Sequence, residues 1–202
     1  MLDAVLIDGR VIYLAIALCS IAALAVVLER CIRLLPLRAR FRVHRQRVEE
    51  ALRAADVAAA RAAVAAADDA IGRTLDRGLQ AFPGGGDRVR AVTQETAQQE
   101  VAGLERGLGA LAVVGQVAPL LGLLGTVVGL MRAFRAASEA EHVTPALLAD
   151  GIYHALGTTA AGLCVAIPAW IAYAALSGVI GRLIAQLEAA AGELPLWCER
   201  DR

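Results

Sequence analysis

The chain has 202 residues, 58% of them hydrophobic, and its 20 basic and 20 acidic side chains cancel to a formal charge of zero. The distribution of that charge is the first constraint: Asp, Glu, Lys and Arg are absent from 11–28 (18 residues), 107–131 (25) and 151–181 (31). A bilayer crossing takes about 20 predominantly apolar residues, whereas a soluble helix keeps a charged face, so these runs argue against a soluble Ala-rich bundle and for three membrane spans.

Taken in chain order, residues 1–10 form a flank with Asp3 and Asp8 against a single Arg10. The basic region of a signal peptide is missing, so the first span, 11–28, is read as retained. Seven arginines and no acid follow between Arg30 and Arg47. This cluster reads as a topology signal that holds its flank in the cytoplasm, with contact to anionic lipid as an alternative. No recognition motif or aromatic interleaving accompanies it, so nucleic acid is not an expected partner. The N-terminus is then periplasmic, 29–106 cytoplasmic, 107–134 the second span, 135–150 a short periplasmic loop and 151–176 the third span. Residues 177–202 form a cytoplasmic helix and tail.

Within 29–106, the Ala- and Arg-rich stretch 41–80 predicts helix, and Pro83-Gly84-Gly85-Gly86 predicts a loop. From Asp87 the helical pattern resumes with no breaker before the second span. A continuous helix over 88–134 would reach about 70 Å at 1.5 Å per residue. The third helix is expected to extend inward to about Ala191, with Gly192 and Pro195 ending it. Cys19, Cys31, Cys164 and Cys198 show neither metal-ligand spacing nor a disulfide framework. No metal and no cofactor are expected.

The second span carries Gly122, Gly125 and Gly129 with Ala118 and Thr126 at spacings of three and four, and the third carries Ala155, Thr158, Thr159, Gly162 and Ala166 likewise. Small residues at this spacing let membrane helices approach closely, so packing is the expected role of the glycines. Pro119 and Pro168 either loosen their helices or are structural only. Thr126, Thr158 and Thr159 either bond the preceding carbonyls of their own helices or line a narrow polar path. A hydroxyl can orient a proton in a hydrogen-bond chain but holds no charge at neutral pH. Neither span contains Asp or Glu, although proton relays place such groups in the membrane. Any titrating carboxylate must therefore come from another chain. His154, close to the outer end of the third span, is either a pathway entrance or a surface residue.

Three motifs carry a resemblance. They are Leu28-Glu29-Arg30, the run Ala118 to Met131 with Phe134, and Ala155 to Leu163 followed by Ala166-Ile167-Pro168-Ala169 and Tyr173. In these the chain resembles the MotA/TolQ/ExbB proton-channel family, in its ExbB/TolQ branch. The resemblance implies an all-α membrane protein assembled as a homopentameric ring, with the second and third spans around a central pore. It also implies an ExbD- or TolR-like one-span partner whose membrane Asp titrates, and a TonB- or TolA-like protein on which the motor works. By motif position Thr126 and Thr159 are the pore threonines, with Thr158 their neighbour. Where family members commonly carry Glu five residues before the second of these, this chain has His154. An ExbB-like output is expected, with a TolQ-like envelope-maintenance role and a non-conducting scaffold as the rivals. No paired carboxylates, nucleophile–base pair or phosphate loop is present, so no enzyme activity is expected.

Overall fold

The computed structural model describes residues 9–54, 56–65, 67–140 and 144–200. The N-terminal flank 1–8, the middle of the expected loop at 141–143 and the last two residues lie outside them. The described chain is helical between short junctions: α1 (Gly9–Arg53), α2 (Val57–Val64), α3 (Ala70–Gln80), a 3-10 turn (Phe82–Gly84), α4 (Gly86–Glu105), α5 (Leu108–Glu139) and α6 (Pro145–Arg200). Three stretches are long and apolar enough to cross a membrane: Arg10–Leu34 in α1, a second whose charge-free part lies in α5, and Leu148–Leu196 in α6. The all-α class with three candidate spans is therefore as the sequence indicates.

The chain divides into two compact units, Met1–Glu29 with Gly107–Ala175, and Arg30–Arg106 with Leu176–Arg202. In the first unit Ile12 and Ile16 of α1 pack with Val128 of α5, flanked by Leu121, Ala161 and Val165. Large apolar side chains point outward: Leu14 is 61% exposed, Ile21 65% and Ile171 65%. In water each would forgo about 1.5–3 kcal/mol of burial; against lipid tails that penalty disappears.

The second unit has the opposite polarity. Phe41 and Val48 of α1, Ile71, Leu75 and Leu79 of α3, Val89 of α4, and Leu183, Leu187 and Leu194 of α6 are essentially fully buried. The spacings of four and seven within α1, α3 and α6 give each of these helices an apolar stripe in this unit.

Two expectations about helix continuity are corrected below. The stretch 41–80 is helical as expected, in three pieces: the end of α1, then α2 and α3. Asp56 Oδ1 accepts the Ala59 N–H and Asp69 Oδ1 accepts the Gly72 N–H, each at 2.8 Å, so two aspartates start new helices as N-caps. The expected rod over 88–134 is also broken. Arg106 is extended (φ −54°, ψ 136°) and Gly107 is left-handed (φ 84°), a conformation that glycine adopts without the steric cost of a side chain. Finally, α6 does not stop at Gly192 or Pro195 but continues to Arg200. Pro195 forfeits the amide bond to the Ala191 carbonyl, yet Leu187, Ala190, Ala191 and Leu194 are buried around that turn and hold it in register. The Pro83–Gly86 loop is present as expected, as the 3-10 turn followed by Gly85 at φ 85°.

Candidate functional site

The site is built on the face that α5 and α6 share in the first unit. Its basis is a ladder of small residues, visible from what a methyl group would meet at each glycine. At Gly115 it would lie 2.7 Å from Trp170 Nε1, and at Gly162 2.5 Å from the Ala118 carbonyl oxygen. At Gly122 it would lie 2.9 Å from Thr159 Cα, and at Gly129 2.8 Å from Ala155 Cβ. At Gly125 it would overlap the Thr158 hydroxyl, and at Gly151 it would lie 2.5 Å from Ala133 Cβ. As the α5 number climbs from 115 to 133, the α6 partner falls from 170 to 151, the signature of antiparallel helices in backbone contact. Dispersion and hydrogen bonds, rather than expulsion of water, hold such a pair in a membrane. Gly122, Gly125, Gly129 and Gly162 were singled out by spacing. Gly115 and Gly151 were missed, although Gly115 stands two turns before Gly122 and Gly151 one turn before Ala155.

The three threonines sit within this ladder in different ways. Thr158 is buried, 4% exposed, and its Oγ1 donates to the Ala155 carbonyl at 2.7 Å while approaching the Gly122 carbonyl at 3.3 Å. Thr159 Oγ1 donates across the interface to the same Gly122 carbonyl at 3.0 Å. Thr126 Oγ1 donates to Leu123 of its own helix at 2.6 Å. Thr126 and Thr159 are half-buried, so both remain reachable by a neighbour. Two hydroxyls thus bond their own helix, the first alternative left open by the sequence, and two reach across to Gly122.

His154 is exposed, edge-on to Tyr153 and 3.8 Å from Asp150 Oδ1, one turn away on α6. Pro119 lies half-buried inside α5. Pro168 is exposed and helps line a groove of about 260 Å³ with Ser20, Ala23, Val27 and Cys164. Among the described residues, no group of three or more His, Cys, Asp and Glu is placed to hold a metal ion.

The second unit holds polar contacts that sequence reasoning missed. Arg30, counted in the topology cluster, is 4% exposed and donates from Nη1 to the carbonyls of Gly103 and Leu104, at 3.4 and 3.3 Å. It therefore caps the C-terminal end of α4, where unpaired carbonyls and the helix dipole favour a cation. Arg45 grips Glu193 with one nitrogen at 2.8 and 2.9 Å. His44 Nε2 lies 3.1 Å from Oδ2 of the α3 cap Asp69. Arg73 donates to both carboxylate oxygens of Glu100 at 2.7 and 2.6 Å, and that hydrogen bonding pushes its guanidinium pKa up.

With this geometry in hand, comparison with known proteins is decisive. The model of the MotA/TolQ/ExbB proton channel family matches residues 66–189, more than half of the chain and all of the α5–α6 ladder. The chain belongs to the MotA/TolQ/ExbB proton channel family. Within it, similarity runs to the ExbB and TolQ members. Biopolymer transport protein exbB1 of Vibrio cholerae is 45% identical over 94 residues, 46% of this chain and 41% of that protein. Tol-Pal system protein TolQ of Haemophilus influenzae is 48% identical over 79 residues, 39% of this chain and 35% of that protein. The putative biopolymer transport protein ExbB-like 1 of Synechocystis is 38% identical over 133 residues, 63% of this chain and 51% of that protein. The chain thus spans about half the length, or less, of these relatives. It is a multi-pass membrane protein of the ExbB/TolQ branch.

Proposed function

We propose that this chain is the pore subunit of a proton-driven motor in the bacterial inner membrane. It assembles as a homo-oligomer, a pentamer by family resemblance, around a one-span ExbD- or TolR-like partner that brings a membrane Asp. Thr126 and Thr159 line the proton path, with Thr158 behind them as the peg that seats α6 on Gly125. The topology that goes with this reading has a periplasmic N-terminus, spans at 11–28, 107–134 and 151–176, cytoplasmic 29–106 and a cytoplasmic C-terminus.

One observation carries the reading: the α5–α6 face offers hydroxyls and close packing but no acid in 107–131 or 151–181. A proton path through such a face is complete only when another helix supplies the titrating group. Protonation and deprotonation of that group would drive the partner's movement within the ring. Each proton contributes about 2.3 kcal/mol per 100 mV of membrane potential, enough to bias a conformational step and small enough to leave it reversible.

The output is assigned to a TonB-like, periplasm-spanning protein, a reading supported by the biopolymer-transport names of the ExbB relatives. A TolQ-type output is the second reading, favoured by the 48% identity to the Haemophilus protein. Two measurements test the function. Purification from native membranes should bring down a one-span chain with Asp in its span, and Thr159→Val should abolish energised work while the oligomer still assembles. Wild-type work by that variant removes Thr159 from the path. A complex without any acid-bearing partner leaves only a non-conducting scaffold.

A further inference from the structure

The charge-free part of α5, 107–131, carries two polar side chains, Gln116 and Thr126. Thr126 bonds its own helix, but Gln116 is exposed and makes no side-chain hydrogen bond among the described residues. It stands about 12 Å along α5 from Leu108, within a candidate span. A carboxamide left to lipid there forfeits the bonds of two N–H hydrogens and a carbonyl oxygen. At about 100° per residue, Gln116 is turned about 120–160° away from Ala118, Gly122 and Gly129, so its own α6 cannot serve it.

A complementary gap lies on α6. Pro168 has no N–H, so the Cys164 carbonyl loses the amide that would reach it from four residues on. Cys164 and Pro168 line the groove of about 260 Å³ between α1 and α6. Ser20 lines it too, and its hydroxyl makes no hydrogen bond among the described residues. Cys164 and Pro168 are turned about 120–160° away from Gly162, out of reach of their own α5. The two gaps also share a height. The ladder sets Gly115 against Trp170 and Gly122 against Thr159, so the level of Gln116 falls beside Pro168.

We propose that Gln116 is the polar anchor between adjacent copies of this chain. Its carboxamide enters the α1–α6 groove of the next copy, donates an N–H to the Cys164 carbonyl and accepts the Ser20 hydroxyl. This inference rests on the ring assembly under Proposed function. In a ring about an axis normal to the bilayer every copy keeps one height, so the matched levels within a chain become matched levels between chains. The contact is head-to-tail, Gln116 at one edge and the groove at the other, which is the arrangement that closes a ring. Around α5, Thr126 then faces the pore and Gln116, about 80° round, faces the neighbour. Leu120, about 40° further, faces lipid.

The test joins the two edges covalently. Oxidation of membranes with copper phenanthroline should link Gln116→Cys to the native Cys164 of the next copy, giving a ladder of oligomers on non-reducing gels that the wild type lacks. The ladder should vanish when Cys164→Ser is added. Val117→Cys, at the same height on another face, should give none. Gln116→Leu removes the bonds and should weaken each contact about threefold, the size of one interhelical hydrogen bond. That loss is read from the concentration at which the ring dissociates in detergent, and complete dissociation of a chain that keeps its helical circular dichroism has the same sign. A ladder that survives Cys164→Ser, or an intact ring that gives none, overturns the anchor and leaves the proposed function standing. A Gln116→Leu ring as stable as the wild type does the same, and decides alone if Gln116→Cys does not assemble. A wild-type chain that purifies only as a monomer overturns both.

Discussion

The two units of this chain solve the same packing problem in different solvents. In the first, the α5–α6 ladder is built mainly of glycine, alanine and threonine, with Trp170 against Gly115, while most leucines and isoleucines face outward. In the second, phenylalanine, leucine and isoleucine are inside and the surface carries ion pairs such as Arg45–Glu193 and Arg73–Glu100. Among the described residues, every large hydrophobic side chain that is exposed belongs to the first unit except Ile32, Val43 and Leu196. The contrast shows where water is present. Where it is, apolar area is the driving force; where lipid replaces it, helices bind through backbone proximity and the large side chains are released to the solvent.

Five substitutions break or sharpen that contrast. The largest effect is expected at Gly122→Leu, because the obstacle is the Thr159 backbone at 2.9 Å and cannot swing aside. That variant should fail to yield a folded oligomer by size-exclusion chromatography in detergent. Next comes a matched pair, one residue from each unit. Phe41→Ala, at 1% exposure, should cost about 3–5 kcal/mol. Leu120→Ala, at 62% exposure, should stay within about 0.5 kcal/mol. Thermal unfolding of the two in one detergent decides it, and equal losses would mean that α5 faces something other than lipid there. Asp69→Ala removes the α3 cap and the partner of His44, for about 1–2 kcal/mol, read as faster hydrogen exchange in the first turn of α3. Smallest is Glu193→Gln, which loses a half-exposed ion pair and should cost at most about 1 kcal/mol, less in high salt.

Much of this is legible in the sequence. Charge-free windows located the three apolar helices because lipid forbids exposed backbone and thereby imposes helix on any spanning segment. The spacing of Gly122, Gly125, Gly129 and Gly162 marked the shared face of α5 and α6. What stayed hidden were decisions made by single atoms. Gly107 looks like one more small residue at the edge of an apolar run, and only its positive φ reveals a break. Pro195 reads as a stop, and it is overruled by buried neighbours on α6 that are distant in sequence from their packing partners. Asp56 and Asp69 were readable as caps, but an Ala-rich background offers no contrast in propensity to draw attention to them. Among the threonines, spacing alone ranked Thr158 and Thr159 together. The difference between a buried peg and a half-exposed hydroxyl appears only once α5 is laid against α6.

The capped end of α4 carries a lesson for anyone who would re-engineer this protein's insertion. Arginine tallies treat the stretch after the first span as interchangeable positive charge, yet Arg30 is locked inside, holding two carbonyls, and Arg45 answers to Glu193. Replacing Arg30 with lysine would leave the tally untouched while exchanging a planar donor fork for a single compact ammonium. Orientation in the bilayer and integrity of the fold would then part company in one experiment, with the same arithmetic and a weaker molecule.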